Sequence, residues 1–245
     1  MPSKMLHNIL TYLNDNYNKK GEKFSKSLKF EPKVLKQMAI FVIITKKNPK
    51  DGDKMKNSDL KRFINIPRLY TERLTLRRIM PSDLEDVYEY ASDPEVPRFL
   101  LWTPHADRTV TKRYLSVIDK KYRRSEFYDW GIEYNGKMIG TCGFTSLSVY
   151  DNRGEIGYVL NREFWGMGLA REAVSRVLDF GFRELGLNRI EAKFMIGNDR
   201  SLSVMQKCNM TLEGTMKQYV YAKGSYRDVG IAAICADEYF TKDRK

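Results

Sequence analysis

The chain has 245 residues, 42% of them apolar and 12% aromatic, which is enough to build a buried core and excludes an intrinsically disordered protein. Its net charge of +12 would suit nucleic-acid binding, but residues 1–65 hold 15 Lys/Arg against 6 Asp/Glu and so carry most of that charge. The longest apolar run, Met38–Ile44, is far shorter than the roughly 20 residues of a membrane-spanning helix, and the sequence shows no signal-peptide pattern. We therefore expect a cytoplasmic protein with no membrane partner, whose separate cysteines Cys142, Cys208 and Cys235 stay reduced.

Residues 1–65 and residues 66–245 are predicted to be two regions of different character. The first is a basic N-terminal extension or linker, with scattered lysines and a polar stretch at Lys46–Lys61. It is either an accessory extension or an arm that contacts RNA, the ribosome or another anionic surface. A natural translation start at Met55, which would remove most of this extension, is a further alternative. The second region carries the patterns that predict a folded domain.

From residue 66 onward, alternating and helical hydrophobic patterns predict strands and helices in a mixed order. Asn135-Gly136 is a strong hairpin signal between two of the strands, and Lys223-Gly224 separates the last two. The predicted strands are Thr75–Ile79, Tyr128–Tyr134, Met138–Leu147, Glu155–Leu160, Arg189–Met195, Thr211–Tyr221 and Ser225–Glu238. The predicted helices are Pro81–Tyr90, Thr109–Arg124, Leu169–Leu185 and Ser201–Cys208.

Residues that favour helix ends set the boundaries of these elements. Ser82 or Asp83 is expected to cap the first helix, and Gly186 to end the longest one. The order of strands and helices contains no internal repeat. It predicts an α+β (mixed α/β) protein with one mixed sheet and helices on both of its faces.

The segment Glu155–Ala170 carries the most informative pattern. A strand is followed by a loop containing Gly166 and Gly168, and then at once by an amphipathic helix. Free backbone amides and the helix dipole make such a helix start an anion site, and glycine lets a diphosphate approach the backbone closely. The third glycine of a dinucleotide fingerprint and the Gly-Lys-Ser/Thr of a P-loop are both missing here. The loop therefore favours a diphosphate of another ligand type, with a simple tight turn as the alternative.

Three separated blocks resemble the GNAT N-acetyltransferases, and in particular their RimJ/RimL branch of ribosomal-protein N-terminal acetyltransferases. These blocks are Thr71–Arg77, Trp165–Ala170 (Trp-Gly-Met-Gly-Leu-Ala) and Asn198–Met210, and the resemblance covers roughly residues 66–240. Asn209 replaces the glycine that usually follows the short helix, a mild change because Asn also tolerates a left-handed cap. The resemblance implies the GNAT acyl-CoA fold, a mostly antiparallel sheet splayed at the acyl-CoA cleft. It also implies acetyl-CoA as co-substrate and no metal.

The same resemblance implies which residues bind the cofactor. Backbone groups of Tyr158–Leu160 would hold the pantetheine arm and polarise the thioester carbonyl, and amides of Met167–Ala170 would hold the diphosphate. Asn198 and Lys207 would reach the pantetheine or phosphate groups, although a late helical lysine is commonly just solvated. The complete set of candidates is Tyr158, Val159, Leu160, Trp165, Gly166, Met167, Gly168, Leu169, Ala170, Asn198, Ser201 and Lys207.

Catalytic and acceptor residues follow from the resemblance in the same way. Glu155 matches the position of the general base, acting directly or through water, and Ser201 would lie near the departing sulfur. The alternatives are an exposed carboxylate at a strand end and a hydroxyl that bonds its own helix start. Trp102 and Tyr128, together with Glu155, could shape the acceptor pocket, or the two aromatic residues could be ordinary core packing.

The implied activity is direct transfer of an acetyl group from acetyl-CoA to a primary amine. A protein N-terminal α-amine is the leading acceptor, since its pKa of about 7.7–8.0 needs less help from one carboxylate than a lysine near 10.4. A small amine such as a polyamine, amino acid or aminoglycoside is the alternative acceptor. A catalytically weak CoA-binding module is the alternative to an enzyme, and a homodimer is also left open.

Overall fold

An eight-stranded sheet organises the chain in the computed structural model, which describes residues 66–123, 128–148 and 151–242. The order across the sheet is β1-β2-β3-β4-β5-β6-β8-β7, and the neighbouring strands are antiparallel except for β5 and β6, which are parallel. The expectations for residues 1–65 lie outside the described residues. The strands are β1 (Leu69–Tyr70), β2 (Thr75–Arg77), β3 (Tyr128–Tyr134), β4 (Lys137–Ser148), β5 (Arg153–Leu160), β6 (Arg189–Met195), β7 (Thr211–Ala222) and β8 (Ser225–Cys235).

Helices cover both faces of this sheet, which confirms the predicted mixed α/β fold. Helices α1 and α2 pack on one face and α3 on the other, with α4 beside α3. Within the described ranges, no helix is long and apolar enough to cross a membrane. The helices are α1 (Leu84–Ser92), α2 (Arg108–Arg123), α3 (Leu169–Asp179), α4 (Asp199–Lys207) and α5 (Ala236–Lys242).

Strand β4 shows why the two faces have separate cores. Met138 and Ile139 are adjacent and both fully buried, yet they belong to different apolar clusters. Successive side chains of a strand point to opposite faces, so Met138 meets α1 and α2 while Ile139 meets α3. A strand covered on both sides is buried along its length, and residues 138–144 are all buried.

The local turn signals in the sequence are confirmed. Asn135 and Gly136 have φ values of 50° and 80°, and Lys223 and Gly224 have 52° and 82°, as a two-residue hairpin turn with two left-handed positions requires. Asn209 is also left-handed, with φ 63°, so it caps the short helix as the sequence predicts.

Several predicted ends of elements are displaced by a few residues, as at Thr75–Ile79, which stops at Arg77, and the last strand differs most clearly. The last strand stops at Cys235 rather than Glu238, because the carboxylate of Glu238 accepts a hydrogen bond from the Cys235 amide (2.9 Å) and α5 begins. That helix stacks the Tyr239 ring on Phe182, with ring centroids 4.7 Å apart, and this apolar contact favours the turn away from the sheet. The two-residue strand β1 has no counterpart among the predicted elements.

The start of α1 differs from the predicted cap. Neither Ser82 nor Asp83 makes a side-chain cap hydrogen bond to this helix. A single 3₁₀ turn, Pro81–Asp83, comes first, and the buried Asp83 carboxylate accepts from the Met80 amide (2.6 Å) and pairs with Arg77. Asp83 therefore fixes the chain between β2 and α1 instead of capping the helix.

The first helix after the glycine loop changes its winding before it ends. Helix α3 is α-helical to Asp179, and Phe180–Glu184 continue it as a π turn, with the Leu185 amide bonded to Phe180 O (3.1 Å). The buried Gly181 lies in this turn against Ile190 and Phe144. A glycine is needed here because a side chain would enter the core.

Gly181→Ala is expected to destabilise the fold by about 1–3 kcal/mol through overpacking. Its added Cβ would lie 2.5 Å from Ile190 Cδ1 and 2.9 Å from Phe144 Cζ. The control is Gly214→Ala, where a Cβ would meet no described atom within 4 Å, so its effect should stay within about 0.5 kcal/mol. Urea unfolding measures both, and equal stabilities of the two variants would contradict this packing.

Candidate active site

A gap opens in the sheet where β5 and β6 separate. Their parallel pairing runs from Arg153–Arg189 to Ile156–Ala192 and then stops. Beyond it, Gly157–Leu160 stay paired only with β4, and Lys193–Met195 only with β8. The backbone groups of both segments on the gap side are therefore left without a strand partner. This is the splay that the family resemblance implied.

Hydrogen bonds of Asn161 and Trp165 fix the loop that follows β5. The buried Asn161 accepts a hydrogen bond from the Glu163 amide (3.1 Å) and donates to Glu89 (2.8 Å), which sets a 3₁₀ turn at Arg162–Phe164. Trp165 then donates its indole N–H to Leu160 O (2.8 Å). The glycine loop consequently starts from a rigid base next to the gap.

Gly166 and Gly168 give this loop its shape. Both are left-handed, with φ 81° and 79°, and a side chain at Gly166 would meet no described atom within 4 Å, so that part of the backbone is open. Gly168 is the N-cap of α3, so the amides of Leu169 and Ala170 have no acceptor within the helix. Open amides and the positive end of the helix dipole together make this loop suited to a phosphate group.

Arg73 and Glu172 fasten the loop to the edge of the sheet. Glu172, in the first turn of α3, accepts from the Arg73 side chain (2.7 Å) and amide (2.9 Å) and from the Thr71 hydroxyl (2.5 Å). Burial tends to raise the pKa of Glu172, but the bonds from Thr71 and Arg73 outweigh it and hold the pKa below its ordinary value. Arg73 also donates to Met167 O (3.0 Å). The guanidinium thus offsets a carboxylate that would otherwise repel an anion.

Helix α4 brings three more side chains to the gap. Asn198 caps this helix by accepting from the Ser201 amide (3.3 Å). The exposed Arg200 lies over the Trp165 ring, 4.6 Å from its centroid, and so adds positive charge beside the glycine loop. Ser201 meets Tyr158 across the gap, with the Tyr158 Oη 2.9 Å from both Ser201 Oγ and Ser201 O.

Tyr158 is held in its neutral form. Burial raises the pKa of Tyr158 well above its ordinary value, although the hydrogen bond between Tyr158 and Ser201 opposes part of this effect. Burial thus disfavours the tyrosinate form of Tyr158. Its hydroxyl can orient Ser201.

Glu155 lies on the other face of the gap. It shares its side of β5 with Val159, four residues on, which packs on the α1–α2 cluster. Its carboxylate accepts from Lys193 Nζ (2.7 Å) and from the Thr145 hydroxyl (3.3 Å). The hydrogen bond to Glu155 raises the pKa of Lys193, which keeps the lysine charged.

The α1–α2 loop and the last hairpin close the same side of the gap. Phe99 approaches Gly197, where an added Cβ would lie 3.5 Å from the Phe99 ring. Lys223, at the tip of the β7–β8 hairpin, donates to the carbonyl oxygen of Pro97. Residues 97–99, the end of β6 and this hairpin therefore lie next to one another.

The remaining predicted residues lie in different places. Trp102 is half-buried in the α1–α2 loop, on the Glu155 side of the sheet, with its ring 5.5 Å from that of His105. Tyr128 is on the opposite face, packed against the core with its ring 5.9 Å from Phe180. The structure therefore does not bring Tyr128 to Glu155. Lys207 is exposed in the last turn of α4, about 9 Å along the helix from Ser201 at the usual rise.

Three charged residues of this site were missed by reading the sequence. Arg73 stands inside the Thr71–Arg77 block and Arg200 inside the Asn198–Met210 block, so both were within matched segments without an assigned role. Lys193 carried no signal beyond its place in a predicted strand. Lys193 lies two residues after Glu191 and therefore on the same face of β6. Its partner Glu155 on β5 could be identified only from the register of the sheet.

Residues 73–211, more than half of the chain, match the family Acetyltransferase (GNAT) domain. The chain belongs to the GNAT acetyltransferase family. The uncharacterized N-acetyltransferase p20 of Bacillus licheniformis is 37% identical over 173 residues, which cover 70% of this chain and 97% of p20. Spermidine N(1)-acetyltransferase of Escherichia coli strain K12 is 21% identical over 169 residues, 69% of this chain and 89% of that enzyme.

The fold of this GNAT protein also agrees with solved structures. RimL, the ribosomal L7/L12 α-N-protein acetyltransferase, in complex with coenzyme A, has a TM-score of 0.64 at 22% identity, covering 70% of this chain and 99% of RimL. As a GNAT N-acetyltransferase, the protein is an enzyme that uses acetyl-CoA as its co-substrate and an amine as acceptor.

Arg73→Ala is expected to weaken acetyl-CoA binding about tenfold, because it removes one charge-assisted contact. The variant frees Glu172 beside the phosphate loop and removes the bond to Met167 O. Calorimetric titration measures the Kd, with Arg123→Ala as control, since Arg123 is exposed on α2 and paired with Asp119. An unchanged Kd for Arg73→Ala would contradict the assigned role.

Proposed function

We propose that this GNAT enzyme transfers the acetyl group of acetyl-CoA directly to the N-terminal α-amine of a protein, as a member of the RimJ/RimL-like branch. The observation that carries the proposal is the position of Glu155 at the fork of β5 and β6, on the face opposite Ser201. A base on one face and a hydroxyl on the other suit an amine and a thioester that meet in the gap.

Binding of the co-substrate would use the open backbone of two segments. The amides of Met167–Ala170 would hold the diphosphate, with Arg73 and Arg200 supplying positive charge nearby. The unpaired edge of Tyr158–Leu160 would bind the pantetheine arm as an added strand would. The same amides would stabilise negative charge on the thioester oxygen as the bond to the amine forms.

The chemical step needs a neutral amine and a departing thiolate. Glu155 would take the proton from the amine, directly or through one water, and the amine nitrogen would then attack the thioester carbonyl carbon. The C–S bond breaks and the acetyl group stays on nitrogen. The second proton, which the nitrogen loses as it becomes an amide, passes to the departing thiolate, which leaves as the thiol of CoA. Ser201, oriented by Tyr158, would donate a hydrogen bond to that sulfur. No covalent acyl-enzyme is required.

The acceptor is assigned on chemistry and on likeness. One carboxylate already paired with a lysine is a modest base, which suits an α-amine of pKa about 7.7–8.0 better than an amine near 10.4. RimL, which shares the fold, acts on a protein α-amine according to its name. A small amine is the alternative, favoured by the sequence likeness to a spermidine acetyltransferase. A CoA-binding module without turnover is the non-enzymatic alternative.

Several earlier expectations remain predictions. These are a cytoplasmic location, independence of metal, a homodimer and a ribosome or RNA contact through residues 1–65. The extension's role can be examined by comparing ribosome association with and without residues 1–54.

Glu155→Gln is expected to lower kcat about 100-fold, because general-base catalysis by one side chain typically contributes that much or more. The Kd for acetyl-CoA should not change, since Glu155 contacts Lys193 and Thr145 and not the phosphate loop. The assay is a panel of amines with detection of the released thiol. Glu213→Gln, which removes a carboxylate of β7 that is paired with Arg189, is the matched control and should keep kcat within about twofold.

Peptides that carry both an α- and an ε-amine identify the acceptor class when the product is mapped by mass spectrometry. Acetylation at the α-amine is the expected result. If acetyl-CoA raised the melting temperature while no amine in the panel released CoA, the binding-module alternative would replace this proposal.

A further inference from the structure

Lys193 stands at the point where the acceptor amine must arrive. It is the first residue of β6 beyond the last β5–β6 pair, Ile156–Ala192, so it borders the gap. Its ammonium lies 2.7 Å from Glu155 Oε2 and 5.6 Å from the centroid of the Tyr219 ring. Carboxylates and aromatic faces both bind cations in proteins. The chain's own lysine therefore fills the cation position beside the proposed base.

This ion pair is shielded rather than fully solvated. The side chains of Lys193 and Glu155 are 25% and 24% exposed, so water screens their attraction less than it would at an open surface. The Thr145 hydroxyl contacts Glu155 from β4. The charge of Glu155 is thus largely compensated before any acceptor arrives.

Two of the three carboxylates on β6 to β8 are already paired with arginines. Glu191 on β6 pairs with Arg153 and Arg189, and Glu213 on β7 pairs with Arg189 as well. Asp228 on β8 accepts from the Gln218 amide (2.8 Å). Each acidic residue of β5 to β8 therefore has a partner within the described strands.

We infer that Lys193 determines acceptor specificity by disfavouring amines with further positive charge near the reacting nitrogen. The inference rests on the proposed function and narrows it to monoamines, such as a peptide N-terminus followed by neutral or acidic residues. A polyamine keeps one or more ammonium groups after its reacting nitrogen loses a proton. Those groups meet the Lys193 ammonium, while Glu155, Glu191 and Glu213 already have cationic partners; the result is specificity by like-charge repulsion.

The test compares two acceptors, spermidine and an alanine-starting peptide without lysine, through the ratio of their kcat/KM values. The ratio cancels any general effect of a substitution on Glu155. Lys193→Met should raise the spermidine-to-peptide ratio about tenfold or more, as expected when one close like-charge contact is removed. Lys193→Arg keeps the charge and should keep the ratio within about twofold. Lys217→Met, which removes an exposed lysine of β7, is the matched control and should also leave it unchanged.

A second measurement needs no variant. The wild-type enzyme is given peptides that differ only at the second residue, Arg or Glu, and the Arg peptide should react about tenfold more slowly. Equal or faster reaction of the Arg peptide, a wild-type preference for spermidine, or an unchanged ratio in an active Lys193→Met enzyme would each overturn the inference. If neither the wild-type enzyme nor a variant acetylated either acceptor, the proposed function itself would fail. If the peptide was acetylated but the ratio did not change in Lys193→Met, only the inference about Lys193 would fail.

Discussion

The separation of β5 from β6 is the constraint on which the site depends. Strands that stay paired leave no backbone groups for a ligand, whereas this pair stops at Ile156–Ala192 and leaves an open edge on each side. Each side stays rigid because β5 remains paired with β4, and β6 with β8. The gap is therefore a permanent feature of the fold and is already shaped for an extended ligand.

Side chains on the two faces of the gap suit different ligands, the co-substrate on one face and the acceptor on the other. On the α3 face, Tyr158 meets Ser201, and Trp165 stacks with Arg200 next to the glycine loop. On the α1–α2 face, Glu155 meets Lys193. The anionic co-substrate is thus matched by amides and arginines, while the acceptor side presents the ion pair of Glu155 with Lys193. Such a division lets one narrow opening admit two ligands of different charge.

Charge compensation also explains how acidic residues are tolerated in this site. Glu172 stands in the first turn of α3, where it would oppose the binding of a phosphate, but Thr71 and Arg73 bond it and share its charge. The ion pair of Arg73 with Glu172 owes its stability to geometry more than to charge alone, because the Arg73 guanidinium also donates a hydrogen bond to Met167 O. These bonds consequently hold the phosphate loop against the edge of the sheet.

What could be predicted from the sequence was mostly local. Two hairpin turns and the left-handed Asn209 follow from the conformational preferences of one or two residues, and the helix after the glycine loop follows from its apolar periodicity. The last strand was predicted too long because the packing of Tyr239 on Phe182 joins residues 57 positions apart along the chain. A local sequence pattern cannot predict a contact between residues so far apart in the chain.

The candidate site was predictable as a set of segments and not as a set of contacts. Tyr128 could have been assigned to the core, since period-two alternation groups it with the fully buried Trp130. The ion pairs of Arg73 with Glu172 and of Lys193 with Glu155 could not, because they join strands and helices far apart in sequence. Their discovery needed the register of the sheet.

Hydrogen exchange with and without CoA tests the central claim, that the ligand binds on the open edge of β5 and on the glycine loop. The account predicts that CoA slows exchange of amides in residues 157–160 and 166–171, while amides of the paired segment of β5, residues 153–156, change little. Protection elsewhere in the chain, with these two segments unchanged, would contradict it.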